Sequence, residues 1–120
     1  KATGVNRFIF ITVIGTGQSH DALPPLSRRG HKDVISLKEK AENHLRASGL
    51  SYTIIRPGGF SNGQSSGKAK LTEDHLAFSY IARTDVANLA IEALGNDESI
   101  NKTFNAYDKD MLYLHRMFMD

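Results

Sequence analysis

The run of residues 48–60 (SGLSYTIIRPGGF) constrains the fold most, because it joins a helix stop, a short apolar strand and a glycine loop. Gly49 stands where the carboxyl end of a helix needs a left-handed residue. Residues 52–55 are aromatic or β-branched, too few for a helix and apolar enough to be covered on both faces. Pro57 ends this strand, and Gly58-Gly59 lets the backbone approach a ligand. Because open α/β sheets bind ligands beyond the carboxyl ends of their strands, the run predicts a ligand site.

The composition limits the classes of protein that remain. The chain of 120 residues is predicted to be one domain, residues 1–120, with the 40% apolar and 23% charged residues of an ordinary globular protein. A net charge of +2, with scattered basic residues, argues against nucleic acid as a partner. No cysteine is present, which excludes a thiolate nucleophile and suits a cytoplasmic protein. No apolar run long enough for a membrane span and no metal-ligand spacing of histidines are found, so we predict no membrane and no metal.

Strand and helix patterns alternate along the chain. Strands are predicted at 7–14, 52–56 and 103–107, with shorter candidates at 68–71 and 78–82, and helices at 33–48, 84–94 and 111–119. The polar stretch 18–29 contains Pro24-Pro25 and is predicted to be irregular. This order predicts right-handed crossovers and a mostly parallel sheet.

The first long helix is predicted to be amphipathic. Its expected inner face is formed by apolar or small residues three and four apart: Val34, Leu37, Ala41, Leu45 and Ser48. Glu42 is then expected to be an exposed carboxylate. Arg56, at the end of the strand that follows, is interpreted as a structural ion-pair residue rather than a ligand.

Two segments imitate phosphate loops without completing them. Residues 15–20 (GTGQSH) begin like G-x-G-x-x-G, but His20 replaces the third glycine and the prolines that follow disfavour the helix that the motif requires. Residues 63–68 (GQSSGK) are one residue short of a P-loop, and Ala69 stands where a magnesium-binding hydroxyl is needed. We predict a phosphate loop at neither place.

Residues 38–45 (KEKAENHL), followed by the run 48–60, resemble the NAD(P)H-binding, NmrA-like branch of the atypical short-chain dehydrogenase/reductase superfamily. Later landmarks of that group are matched in the same order by residues 66–68 (SGK), 81–87 (IARTDVA) and 101–104 (NKTF). The resemblance implies an α/β fold that is the C-terminal half of a doubly wound, Rossmann-like, mostly parallel sheet. The N-terminal glycine-rich βαβ unit, which holds the cofactor's pyrophosphate in that family, is not matched.

The partial match has a consequence for assembly. Without the N-terminal half, the strand at 7–14 becomes an apolar sheet edge, and such edges pair readily with another chain. We therefore expect self-association, or pairing with a missing N-terminal half.

The resemblance also implies site residues. Lys38 matches the lysine of the superfamily's Y-x-x-x-K motif, which binds the nicotinamide ribose; its alternative interpretation is a solvated helix lysine. The tyrosine position is Val34, which cannot transfer a proton. Thr12 is nearest to the strand hydroxyl, with a β-branched strand residue as the alternative. Pro57, Gly58, Gly59 and Phe60 match the loop that packs against the nicotinamide end.

Three hypotheses about function follow. In the first, the chain belongs to an oxidoreductase or epimerase-like protein that binds NADP or NAD and an unknown small molecule, with Thr12 and Lys38 as catalytic candidates. In the second, it is a non-catalytic, NmrA-like NAD(P)-sensing module, which Val34 favours. In the third, the isolated chain binds nothing, because half of the pocket is missing.

Overall fold

A computed structural model describes residues 6–61 and 64–111. The strands are β1 (Arg7–Ile11), β2 (Ser51–Pro57), β3 (Phe60–Ser61), β4 (Lys70–Thr72), β5 (Ile81–Ala82) and β6 (Lys102–Tyr107). The helices are α1 (Pro25–Gly30), α2 (Lys32–Arg46) and α3 (Arg83–Leu94), and 3₁₀ turns cover Gly17–Ala22, Asp97–Ser99 and Lys109–Met111. Within these ranges, no helix combines the length and the apolar character needed to cross a bilayer.

The main sheet has four strands in the order β1-β2-β6-β4. Strands β1, β2 and β6 run parallel, with Phe10 beside Ile54 and Ile54 beside Thr103, and β4 is antiparallel to β6. A separate parallel pair joins β3 to β5. Side chains of a strand alternate between the two faces of the sheet, and α2 contacts one face while α3 contacts the other. The predicted α/β fold with a mostly parallel, doubly wound sheet is confirmed.

Several element bounds differ from those predicted. Strand β1 ends at Ile11, although Thr12 N still donates to Ile55 O at 2.9 Å and Ile14 N to Pro57 O at 3.0 Å. The stretch 18–29 is not irregular throughout, since α1 begins at Pro25; a proline fits the first helical position, where no N–H partner is needed. The helix predicted at 111–119 lies outside the described residues beyond Met111.

The predicted inner face of α2 is only partly correct. Leu45 is buried as predicted, but Val34 is 48% exposed and Leu37 66% exposed, and Ile35 and Glu42 are buried instead. Both sets have helical spacing, so periodicity alone does not separate them. The hydrophobic criterion failed because the correct face contains a carboxylate, which is rarely buried without a partner.

That partner is Arg56 at the carboxyl end of β2. The Glu42 and Arg56 side chains are both fully buried, and Arg56 donates from Nη2 to Glu42 Oε1 at 2.7 Å and from Nε to Oε2 at 3.1 Å. Thr12 Oγ1 and Thr16 Oγ1 each donate to Glu42 Oε2 at 2.7 Å. Arg56 is therefore an ion-pair residue as predicted, whereas the expectation of an exposed Glu42 is wrong.

The environment of Glu42 sets its protonation state. Burial raises the pKa of this carboxyl, because it disfavours the charged form. The hydrogen bonds from Arg56, Thr12 and Thr16, together with the charge of Arg56, lower the pKa by more than burial raises it. The pKa of Glu42 thus lies below its usual 4.5, and the residue is a carboxylate at neutral pH.

The same pair anchors the loop after β1. Arg56 Nη1 donates to Gln18 Oε1 at 3.2 Å, and Gly17 N donates to Glu39 Oε1 at 2.7 Å. Gly17 has φ of 47°, and a Cβ there would lie 2.8 Å from Arg56 Nη2. The glycine at this position is thus explained by the close approach of the arginine.

Strand β1 lies at the edge of the described sheet. Its only strand partner in this part of the chain is β2, and Phe8 is 42% exposed. Phe8 meets Phe10 edge-on, with ring centroids 6.2 Å apart. The edge thus has the apolar character expected from the sequence, and its pairing with another chain stays a prediction.

Replacing Glu42 by glutamine tests the buried pair. In Glu42→Gln, Arg56 keeps its charge in a dry environment without a counter-ion, and we expect a loss of about 3–5 kcal/mol in the free energy of unfolding. Urea unfolding at pH 7 measures it, and the exposed Glu73→Gln is the matched control.

The dependence of the free energy of unfolding on pH provides a second test of the buried pair. The folded-state pKa of Glu42 is lowered, so its contribution to stability is complete above about 4.5 and is lost as the pH falls through the folded pKa. The stability of the wild-type protein should therefore fall more steeply in acid than that of Glu42→Gln. Equal slopes, or a stability of Glu42→Gln equal to that of Glu73→Gln, would contradict the role given to the pair.

Candidate functional site

A cavity of about 390 Å³ opens beyond the carboxyl ends of β1 and β2. It is lined by Val13, Ile14, Leu23, Ser27, His31, Ile35, Gly58, Gly59, Phe60, Phe78 and Tyr80. We call it the apolar cavity, because aliphatic and aromatic side chains form most of its wall. Its place at the strand ends is the one that the sequence predicted for a ligand.

Two glycines of the predicted loop lie in this wall, packed tightly against residues 78–80. A Cβ on Gly58 would lie 2.1 Å from Ser79 O and 2.8 Å from a ring carbon of Phe78. A Cβ on Gly59 would lie 2.4 Å from a ring carbon of Tyr80. The chain's own packing therefore already requires both glycines, and it joins the loop after β2 to the aromatic side of the cavity.

Of the two residues beside the glycines, Phe60 lines the cavity and Pro57 does not. Pro57 is buried as the last residue of β2, and its carbonyl accepts the hydrogen bond from Ile14 N. Phe60 is 43% exposed, and the Arg83 guanidinium carbon lies 4.8 Å from the centre of its ring. The Phe60 ring is thus held between the cavity and a cation.

The other predicted site residues lie outside the apolar cavity. Thr12 uses its hydroxyl to bind Glu42 beneath α2. Lys38 Nζ lies 5.7 Å from the centre of the Phe10 ring, on the side of the edge strand. Val34, in the tyrosine position, is half exposed and does not line the cavity. The structure thus brings Gly58, Gly59 and Phe60 together and separates them from Thr12 and Lys38.

Three polar residues of the cavity wall were not predicted from the sequence: Ser27, His31 and Tyr80. His31 lies between α1 and α2, and its Nδ1 is 2.9 Å from Ser27 O. It was missed because the segment before α2 was predicted to be irregular, so no face could be assigned to it. Helical spacing could have identified His31, because it precedes the buried Ile35 by four residues and residues at this spacing lie on the same helix face.

A second cavity, of about 420 Å³, lies against α3 and has Ser65 and Asp85 among its lining residues. Ser65 Oγ donates to Asp85, and Ser66 Oγ donates to the buried Asp108 at 2.5 Å. Asp85 therefore has a structural role and fixes the segment before β4 on α3. Within residues 6–61 and 64–111, no three His, Asp or Glu side chains are grouped to hold a metal ion, and the predicted absence of a metal stays a prediction.

The residues present fit one end of a dinucleotide. The backbone of the Gly58-Gly59 loop, which carries no side chains, lies at the strand ends next to a cavity large enough for a small molecule. In doubly wound sheets this crevice is where dinucleotides bind. The assignment of Pro57 to Phe60 to the nicotinamide side of such a site stays a prediction.

Comparison with known proteins identifies the family. Residues 1–97 match the family model described as NAD(P)H-binding. The chain is 34% identical over 107 residues to "Uncharacterized sugar epimerase YhfK" of Bacillus subtilis, covering 89% of this chain and 47% of that protein. It is 34% identical over 115 residues to sanguinarine reductase of Eschscholzia californica, covering 91% of this chain and 41% of the reductase.

Solved structures agree with this fold. An anaerobilin reductase, ChuY, from Escherichia coli O157:H7 superposes with a TM-score of 0.81 at 29% identity, over 92% of this chain and 53% of that one. A short-chain dehydrogenase/reductase from Veillonella parvula, solved in complex with NADP, has a TM-score of 0.70 at 18% identity, over 88% and 52% of the two chains. The second likeness shows the fold alone.

The chain therefore has the Rossmann-like fold of a family of NAD(P)H-binding proteins, in which its relatives are named as reductases and as an epimerase. It belongs to the NAD(P)H-binding family, as the sequence predicted, and the predicted cofactor class, NADP or NAD, is confirmed by the family match. The chain spans about half the length of the relatives that it matches. The NmrA-like branch and the cytoplasmic location stay predictions, and one of the relatives is a chloroplastic protein of Arabidopsis thaliana.

Alanine substitutions of the two loop glycines test how the cavity wall is built. In Gly58→Ala the new Cβ meets a backbone carbonyl, so the wall must shift, and we expect a loss of about 1–3 kcal/mol in the free energy of unfolding. Gly59→Ala meets a side chain, which can rotate, and should lose less. Thermal unfolding of each variant provides the comparison.

Gly30→Ala is the matched control for both variants. It has nothing within 4 Å of a new Cβ and should be neutral or stabilising by roughly 0.4–1 kcal/mol. Equal stability of Gly58→Ala and Gly30→Ala would show that the loop does not pack on residue 79 as described.

Proposed function

We propose that this chain forms the nicotinamide-side part of an NAD(P)H-dependent reductase whose substrate is a flat, apolar, conjugated molecule. The observation that carries the proposal is the apolar cavity: it opens at the strand carboxyl ends and shares its glycine wall with the predicted cofactor loop. The reductases for sanguinarine and anaerobilin among its relatives support the reaction type.

The shape and chemistry of the cavity indicate the class of substrate. Phe60, Phe78 and Tyr80 supply three aromatic rings to a space of about 390 Å³, within the usual size range of small-molecule pockets. Aromatic walls bind planar π systems by stacking and by burial of apolar surface. A conjugated ring system therefore suits this cavity better than a sugar, whose hydroxyl groups need many polar partners.

Each residue has a separate part in this reaction. A bound reduced nicotinamide supplies the hydride and its electron pair. Gly58 and Gly59 present backbone without side chains at the place where the two reactants meet. Ile35 and Phe78 exclude water from the cavity, which favours transfer to the substrate over loss to solvent. Lys38 lies over the Phe10 ring at the sheet edge, where it is suited to the ribose side rather than to the reacting atoms.

A second candidate function is a non-catalytic NAD(P) sensor, in which the fold is kept and turnover is absent. Val34 in the tyrosine position favours it, since the superfamily's usual proton donor is replaced by a hydrocarbon. The reductase proposal requires a proton donor elsewhere in the cavity, whereas the sensor does not. Hydride transfer to an acceptor separates the two functions.

The test of the proposed function compares two forms of the protein. NADPH and NADH are titrated against the 120-residue chain and against a form extended at its N-terminus by a glycine-rich βαβ unit, with binding followed by cofactor fluorescence. We expect tight binding in the extended form, because the pyrophosphate then has a glycine loop and a helix N-terminus. Loss of the dihydronicotinamide absorbance with flat heteroaromatic acceptors should follow, and sugar nucleotides should give none. Binding without transfer to any acceptor would favour the sensor.

Removing one aromatic ring tests the substrate class. Phe60→Ala should weaken binding of a flat aromatic acceptor by roughly 2- to 12-fold, the equivalent of one lost ring contact. Equilibrium titration gives the dissociation constants. Phe8→Ala is the matched control, because Phe8 has the same residue type and nearly the same exposure but does not line the cavity. Equal affinities of the two variants would exclude the apolar cavity as the acceptor site.

A further inference from the structure

We propose that His31 is the proton donor of this site and takes the part of the tyrosine that Val34 replaces. The inference rests on the proposed reductase function and adds a catalytic residue to it. His31 lines the apolar cavity together with Gly58 and Gly59, so it borders the space in which a substrate would meet the predicted cofactor loop.

Three hydrogen bonds fix His31 at the junction of α1 and α2. Its backbone N donates to Ser27 O at 3.1 Å, and its backbone O accepts from Ile35 N at 2.9 Å. Its ring Nδ1 lies 2.9 Å from the same Ser27 carbonyl. A donor held by both its backbone and its ring needs little reorganisation at the moment of reaction.

The partner of Nδ1 determines the tautomer. A carbonyl oxygen only accepts, so Nδ1 must carry the hydrogen in this contact. In the neutral ring Nε2 is then the basic nitrogen, and in the imidazolium Nε2 is the second N–H. Nε2 is therefore the atom that can release and recover a proton while Nδ1 remains bound. In catalytic histidines generally, the hydrogen bond of one ring nitrogen determines which nitrogen is free to exchange a proton.

The reaction balances with this assignment. The electrophilic carbon of the substrate accepts a hydride, with its electron pair, from NAD(P)H, which is left as NAD(P)⁺. The adjacent nitrogen, oxygen or carbon forms a bond to the proton as the Nε2–H bond of the imidazolium breaks. The neutral imidazole then recovers a proton from water, and the ring is exposed enough at the cavity mouth for that exchange.

The other candidates are less suited to this part. The Thr12 hydroxyl is committed to the Glu42 carboxylate, and Lys38 lies over Phe10 on another side of α2. Tyr80 also lines the cavity, and its ring packs on Gly59. His31 is favoured over Tyr80 because the hydrogen bond of its Nδ1 to Ser27 O fixes the ring and leaves Nε2 for the substrate.

The experiment uses whichever form of the protein transfers hydride from NADPH to a flat heteroaromatic acceptor. His31→Ala should reduce the single-turnover rate of hydride transfer by about 10²- to 10⁴-fold, the usual contribution of a general acid. Imidazole added to the buffer should restore at least a tenth of the wild-type rate, because it supplies the missing proton donor. A purely structural role of His31 would not be rescued in this way.

Further variants complete the comparison. His31→Gln keeps an N–H donor for the Ser27 carbonyl but cannot titrate, so it should be as slow as His31→Ala while unfolding at the wild-type temperature. His44→Ala removes an exposed histidine elsewhere on α2 and should leave the rate unchanged. Tyr80→Phe keeps the ring that lines the cavity and removes only the hydroxyl, so it should lose far less of the rate than His31→Ala. A full loss in Tyr80→Phe together with an active His31→Gln would overturn the inference in favour of the tyrosine.

A readout that needs no cofactor is nitrogen NMR of the His31 ring in the chain alone. We expect the neutral ring to carry its hydrogen on Nδ1, and the Nε2–H tautomer would contradict the geometry. Wild-type turnover that persists in His31→Ala and His31→Gln overturns the inference and leaves the reductase proposal intact. Absence of hydride transfer from every form of the wild-type protein overturns both.

Discussion

The buried ion pair between Glu42 and Arg56 is the interaction on which the rest of the structure depends. Both charges are removed from water, so the loss of either residue would leave the other as a buried charge without a counter-ion, which is strongly destabilising. Their geometry joins the middle of α2, the end of β2, and Thr12 and Thr16 after β1. The carboxyl ends of two parallel strands are thereby held in register beneath one helix.

The apolar cavity is built on that foundation. The network around Arg56 fixes the loop that follows β1, and this loop and the start of α2 supply one side of the cavity. The other side comes from Gly58 to Phe60 and from the segment around Tyr80. Charge therefore organises the layer below the cavity, while the wall itself is mostly apolar, as the proposed hydride transfer would require for the exclusion of water.

The sequence was sufficient for the architecture and for one wall of the site. The β-branched run before Pro57 and the glycines after it have local causes, so strand β2 and its loop were predicted correctly. The inner face of α2 was predicted only in part, because the residue that decides it, Glu42, is buried only by virtue of a partner 14 residues later. His31 was missed for a similar reason: its contact with the cavity depends on a short helix that begins at Pro25, within a stretch that was predicted to be irregular.

The packing of Gly58 and Gly59 on residues 78–80 limits how this site can diverge. A side chain added at Gly58 meets the backbone of residue 79, and one added at Gly59 must displace the Tyr80 ring, so the loop cannot be used to reshape the cavity one residue at a time. Variation is open instead at positions of the cavity wall that are not buried, such as Val13 and Phe60. Related proteins with this loop should therefore differ in the shape of the cavity through such side chains, while the backbone of the loop stays the same.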